Sequence, residues 1–196
     1  LSLKVDQTIA AGTVLTKQNL LDAAAGTAAV GSAAAKLYKS AETFFQQLTV
    51  DGKKQDYPNY SINYDATGKV ATVSLYTINT TTGAMTAVET YNLKPDMSVL
   101  ASDIPATKAL LVTALATGGS LAGKMYKASA TYFQQMTING EKQDQPDYSI
   151  NFNVDGSISG GSVFTFDPNS GAMQKVMTLS LKVDQTIAAG TVLTKQ

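Results

Sequence analysis

Leu1, Leu3 and Val5 alternate with Ser2 and Lys4 at the head of the chain, the period of a strand that buries one face. A compact bend follows through Ile9, Gly12, Val14 and Leu15, and Thr16 is placed to cap a short helix from Lys17. Thr107, ahead of KALLVTAL, is its counterpart later in the chain. Leu37, Ala41, Phe44 and Leu48 stand at helical spacing, as do Met125, Ser129, Tyr132 and Met136. Phe45 and Phe133 widen those apolar faces, and Ser32 and Ser120 stand before them as caps, so a principal helix is predicted in each half. Each predicted helix ends at LTVDG or MTING and gives way to a polar crossing, KKQDYPNY or EKQDQPDY, in which Pro58 or Pro146 argues against a central strand. Three strands follow in each half: SINYD, VATVSLYTI and MTAVETYNLK, then YSINFNV, SGGSVFTFD and MQKVMTLSLKV. Gly68, Gly83, Gly156 and Gly171 mark the connecting turns.

This pattern occurs twice because the letters do. Residues 38 to 64 match residues 126 to 152 at 16 of 27 positions, displaced by 88, and GAM at 83 to 85 returns at 171 to 173. The expected organisation is therefore α+β: two tandem homologous units, 1–90 and 91–178, each a helix packed on an antiparallel β meander. A unit of this size shields little core alone, so the two are expected to pack together. A second repeat is verbatim: LSLKVDQTIAAGTVLTKQ stands at 1–18 and again at 179–196. It can be a window on a longer array, an introduced copy of a terminal strand, or an overlap without a physical role.

Identical segments fit identical docking sites, so one copy is spare wherever the other is bound. A spare strand can add to an open sheet edge of another molecule, where backbone hydrogen bonds give affinity and alternating apolar residues give register. The assembly strand comprises Leu1, Leu3 and Val5, with Leu179, Leu181, Val183 and Ile187 in the second copy. Such a contact is head-to-tail and propagates unless it closes into a ring.

Composition narrows the chemistry. The chain of 196 residues has no cysteine and no histidine, which excludes thiol nucleophiles, zinc sites built from those ligands and a Ser-His-Asp triad. Fifteen acidic and fifteen basic side chains give zero formal net charge, against the concentrated positive surface of a nucleic-acid binder. Without an 18-residue apolar run, membrane insertion by a helix is not expected. Glu42, Asp51, Asp56, Asp65 and Glu89 offer carboxylates for glycoside hydrolysis, but four of their five counterparts (Ala130, Asn139, Asn153 and Met177) lack one. DATGK and NVDGS hold too few spaced oxygen ligands for a calcium loop and read as hairpin turns. The best contact surface for a glycan or protein partner is Asp56, Tyr57, Asn59, Tyr60 and Tyr64, whose rings could stack on sugars or, equally, pack at a sheet edge.

Two resemblances accompany this reading. DQTIAAGTVLTKQNL at 6 to 20 resembles the short strand-Gly-helix segment of SAF-type, antifreeze-like folds at Ile9, Gly12, Leu15, Thr16 and Leu20, which implies carbohydrate or surface binding as in some members. Helix plus meander resembles cystatin-like architecture, though the turn after the helix reads LTVDG or MTING rather than QxVxG, which puts protease inhibition in doubt. The expectation is a non-enzymatic structural or surface-assembly protein, without cofactor or metal, at an extracellular, cell or particle surface. The alternative is a carbohydrate- or protein-binding module using the tyrosine-rich segment, and the minor one a carboxylate-dependent glycoside hydrolase.

Overall fold

The computed structural model describes residues 1–4, 7–11, 13–182 and 185–193, without the side chain of Leu3. The fold is α+β. A two-residue strand β1 (Ser2–Leu3) and helix α1 (Lys17–Ala25) precede β2 (Leu37–Tyr38), β3 (Ala41–Val50), β4 (Lys53–Tyr64), β5 (Val70–Ile78) and β6 (Met85–Leu93). Helix α2 (Lys108–Leu115) leads into β7 (Met125–Ile138), β8 (Glu141–Phe152), β9 (Ile158–Phe166) and β10 (Met173–Ser180). Strands β3 to β10 form one antiparallel sheet in chain order, with β3 and β10 as its two open edges.

Both short helices begin where their caps predict. Thr16 Oγ1 accepts from the Asn19 amide at 3.2 Å while Asn19 Oδ1 accepts from the Thr16 amide at 3.0 Å, and Thr107 Oγ1 accepts from the Leu110 amide at 3.4 Å. The two principal helices do not exist. Leu37, Ala41, Phe44 and Leu48 lie on β2 and β3, and Met125, Ser129, Tyr132 and Met136 on β7. Ser32 precedes only a single 3₁₀ turn, Ala34–Lys36, whose N-cap is Ala33; its Oγ accepts from the Ala35 amide at 3.2 Å. The deciding signal is the turn that follows: Asp51-Gly52 and Asn139-Gly140 all have positive φ, the two-residue hairpin geometry that joins two strands with matching twist. The expected polar crossings are therefore the first halves of β4 and β8. Pro58 and Pro146 are tolerated there because β4 meets β5 only from Tyr60 onward, and β8 meets β9 only from Tyr148, so each proline has a ladder on one side alone. A bulge at Phe44/Phe45 relaxes the β3 ladder beside Pro58, and one at Tyr132/Phe133 does so beside Pro146.

The two faces of the sheet differ. Phe44, Tyr60, Leu75, Glu89, Ala130, Ile150, Gly161 and Leu179 stand opposite one another in one row across all eight strands. The adjacent row, on the other face, reads Thr43, Ser61, Ser74, Thr90, Ser129, Asn151, Gly160 and Ser180. Hydroxyl pairs Ser61–Tyr76, Ser74–Thr90 and Ser162–Thr178 tie this polar face together, as cross-strand pairs do in a solvated sheet. Helix α2 lies on the apolar face, with Leu111, Ala114 and Leu121 packed among Tyr60, Ile62, Tyr64, Val70, Val73, Leu75, Val99 and Met125. Among the described residues helix α1 has no such bed; its Ala23 clusters there with Ala34 and Leu37, fringed by Ile9, Leu15 and Ala28.

Candidate functional site: two edges and an open groove

The verbatim repeat lies in two different settings. In the first copy Ser2 stands opposite Tyr38 and Leu3 opposite Leu37, while the Lys4 amide donates to the Lys36 carbonyl at 2.8 Å. In the second copy Leu179 and Ser180 finish β10 against Gly161 and Gly160 of β9. Ile187 then returns over β9, its carbonyl accepting from the Ile158 amide at 3.1 Å. Of the residues expected to form an assembly strand, Val5 and Val183 lie outside the described residues; Leu1, Leu179 and Leu181 are at least partly exposed, as is Ile187.

Both settings have a counterpart inside the chain. Asn92 stands opposite Tyr126 and Leu93 opposite Met125, with the Lys94 amide donating to the Lys124 carbonyl at 2.9 Å. That is the geometry of Ser2, Leu3 and Lys4 against the strand before β3, although Asn92 to Lys94 are the end of a full-length neighbour, β6. Likewise the Val70 amide donates to the Val99 carbonyl at 2.8 Å, as Ile158 does to Ile187. The chain beyond Val99 leads to α2, whose Leu111 is fully buried on β4 and β5. Over β8, β9 and the end of β10 the corresponding space is an apolar groove of about 330 Å³ lined by Tyr148, Ile150, Ile158, Val163, Leu181 and Leu193, with Gly160 and Gly161 on its floor. Among the described residues, none from a helix lines it.

Both edges are apolar. Met173, Val176, Met177 and Leu179 are exposed along β10, and Phe44 and Phe45 along β3. Exposed apolar residues along unpaired strands are candidates for interaction, since open strands are templates for pairing.

The tyrosine-rich stretch is divided. Tyr60 and Tyr64 are core residues, 2% and 6% exposed. The Tyr60 ring stacks on Phe44 at 4.4 Å and its hydroxyl donates to the Ala106 carbonyl at 3.1 Å. Tyr64 donates to Glu42 Oε2 at 2.7 Å; burial first, and then the carboxylate beside it, push the phenol far above its ordinary pKa. Tyr57 donates to Gln55 Oε1 at 2.7 Å and lies against Gly83, and Asp56 accepts from Gln47 Nε2 at 3.4 Å. Asn59, half-buried, is the extra residue of the β4 bulge between Pro58 and Tyr60. The five residues therefore do not present one exposed aromatic surface.

Besides Asp56, three of the candidate carboxylates have structural partners. Burial would raise the pKa of Glu42, but the Tyr64 hydroxyl and the Lys39 ammonium at 3.0 Å outweigh it and hold it low. Glu89 Oε1 lies 2.5 Å from Lys127 Nζ; desolvation would lower the lysine, yet Glu89 and Tyr91 leave it raised. Asp65 is lowered chiefly by the Thr67 hydroxyl and by the amides of its own turn. Among the described residues no group of three or more Asp or Glu is placed to hold a metal ion, and no helix is long and apolar enough to cross a membrane, which leaves β-barrels unaddressed. Compared with protein-family models, curated proteins and solved structures, the chain finds no match.

Proposed function

We propose that the chain is a structural protein of two homologous units that associates head to tail by adding one sheet edge to another, using the terminal segment present in both copies. The observation that carries this reading is the pairing of Ser2 and Leu3 with Tyr38 and Leu37. Ser180 and Leu181 are the same residues at the same places of the repeat, at the end of an exposed edge strand. The first copy thus occupies, within the chain, the position that β10 of a second molecule would take, and exchange costs no side-chain complementarity. Projecting the β6–β7 register by 88 residues gives Lys175 opposite Phe44, Val176 opposite Thr43, Met177 opposite Glu42 and Thr178 opposite Ala41, then Leu179, Ser180 and Leu181 opposite Lys39, Tyr38 and Leu37.

The charges agree with that register. Within the chain Glu89 faces Ala130 and serves Lys127; at the projected junction Met177 faces Glu42, which already serves Lys39. The carboxylate has changed strands, and each lysine keeps one. An extracellular, cell-surface or particle-surface setting belongs to the same proposal, supported by the hydroxyl-rich uncovered face and the absence of cysteine. Deleting residues 179–196 and measuring molar mass by light scattering tests the reading: the full chain is expected in multiples of 20.6 kDa and the truncated chain as monomer. Equal monomeric masses for both would refute it.

A further inference from the structure

We infer that the groove over β8, β9 and β10 is the seat of helix α1 from a second copy of this chain, with Leu20 as its anchor. The inference rests on the head-to-tail reading and adds the partner element that closes the junction. Measured from their caps Thr16 and Thr107, Leu20 and Leu111 are the same helical position, as are Ala23 and Ala114, and Lys17 and Lys108. Leu111 is fully buried on the apolar face of β4 and β5, whereas Leu20 is 39% exposed and its neighbour Leu21 51%. The bed of Leu111 includes Tyr60, Ile62, Val70 and Leu75; the same positions in the later strands are Tyr148, Ile150, Ile158 and Val163, all of which line the groove. A helix with an unburied anchor and a bed without a helix therefore occur in one molecule.

The polar contacts of α2 also have places waiting. Lys108 Nζ donates to the Tyr76 carbonyl and Tyr60 donates to the Ala106 carbonyl. The corresponding pairs at the seat are Lys17 with the Phe164 carbonyl and Tyr148 with the Leu15 carbonyl. Gly161 stands where Val73 packs beneath α2, which deepens the groove.

The occupant must come from another molecule. Helix α1 leads into β3 at one edge, while the groove lies over β8 to β10 toward the other, five to seven strand intervals or about 24–34 Å away. The same pairing that places β10 beside β3 of a second copy brings that copy's α1 to the groove, because α2 reaches β4 and β5 by the equivalent path from β7. At such a junction Ser180 and Leu181 of one copy take the places of Ser2 and Leu3 of the other, which are released, while Ile187 stays over β9.

The chain has no cysteine, so disulfide trapping of the full-length protein is free of background. Chains carrying Leu20→Cys are mixed with differently mass-tagged chains carrying Val163→Cys and oxidised mildly; a parallel mixture pairs Tyr38→Cys with Ser180→Cys, and a control pairs Leu20→Cys with Ser162→Cys on the polar face. Both test mixtures are expected to give the covalent heterodimer at least about tenfold above the control. A strand heterodimer with the helix mixture at control level would overturn the helix seat and leave edge addition standing; control level in both would overturn the two together. Leu20→Asp is a second check on a chain that keeps both strand edges: association is expected to weaken about tenfold or more, and unchanged association would contradict the seat.

Discussion

The amide of Ile158 donates to the carbonyl of Ile187 at 3.1 Å, which places the second copy of the terminal segment over β9 as Val99 lies over β5. Val99 is fully buried and is followed by a helix that covers it; Ile187 is only half-buried beside an open groove. On the proposed head-to-tail reading, that difference separates residues that stabilise the single molecule from residues that act between molecules.

Leu111→Ala should destabilise the chain by about 2–5 kcal/mol, since it empties a fully buried leucine site beneath α2. Leu20→Ala, at a site already 39% exposed, should cost about 1 kcal/mol or less in dilute protein. Urea unfolding at low concentration measures both; equal losses would mean that α1 is already fully packed in the single chain.

Removing residues 1–4 should raise association. These residues cover the pairing groups of Leu37 and Tyr38 through the Ser2–Tyr38 and Leu3–Leu37 pairs, so their loss exposes that stretch of edge to β10 of a second copy. Sedimentation velocity should show larger species than the full chain at equal concentration, and smaller ones would reverse the assigned role of the first copy.

Gly83→Ala and Gly171→Ala should each cost more than about 1 kcal/mol. Their φ values are 72° and 69°, and an added Cβ would lie 2.2 Å from the Tyr57 hydroxyl or 2.1 Å from Ile138 Cδ1. Thermal melts report the loss. The Gly156→Ala change is the milder comparison, because its Cβ meets nothing closer than 3.5 Å and only the φ of 83° opposes it.

Stability should fall in acid. Asp65, Asp155 and Asp167 accept from hydroxyls and amides of their own turns, and Glu42 from Tyr64 and Lys39, so all four titrate lower folded than unfolded. A depressed folded pKa gives a contribution that is complete above the ordinary carboxylate range and is lost as pH falls through the folded value. Tm should be flat from neutrality to about pH 5 and drop below about pH 4. Asp65→Asn should flatten part of that drop, and an unchanged acid slope in this variant would remove Asp65 from the account.

How much was legible in the letters depended on how local the cause was. Thr16 and Thr107 act through hydrogen bonds within one turn, and both helix starts were readable. Val70–Ile78, rich in β-branched and aromatic residues between turn signals, reads as a strand and folds as one. Residues 37 to 48 do not: Leu37 and Ala41 differ in parity from Phe44 and Leu48, so the apolar spacing mimics a helix, and only the Asp51-Gly52 hairpin signal spoke for a strand. Tyr60 and Tyr64 looked available because the residues that bury them, Val99 and Leu111, are remote in sequence. The identity of residues 179–196 with 1–18 was plain in the letters, but the groove was not, since it is made by the side chains that cover β5 and leave β9 open.

The most direct measurement is a structure of the protein at high concentration with neighbouring copies visible. The account predicts β10 of one molecule beside β3 of the next, with Ser180 opposite Tyr38 and Leu181 opposite Leu37. Separate molecules with both edges open and Ser2 still opposite Tyr38 in every copy would contradict it.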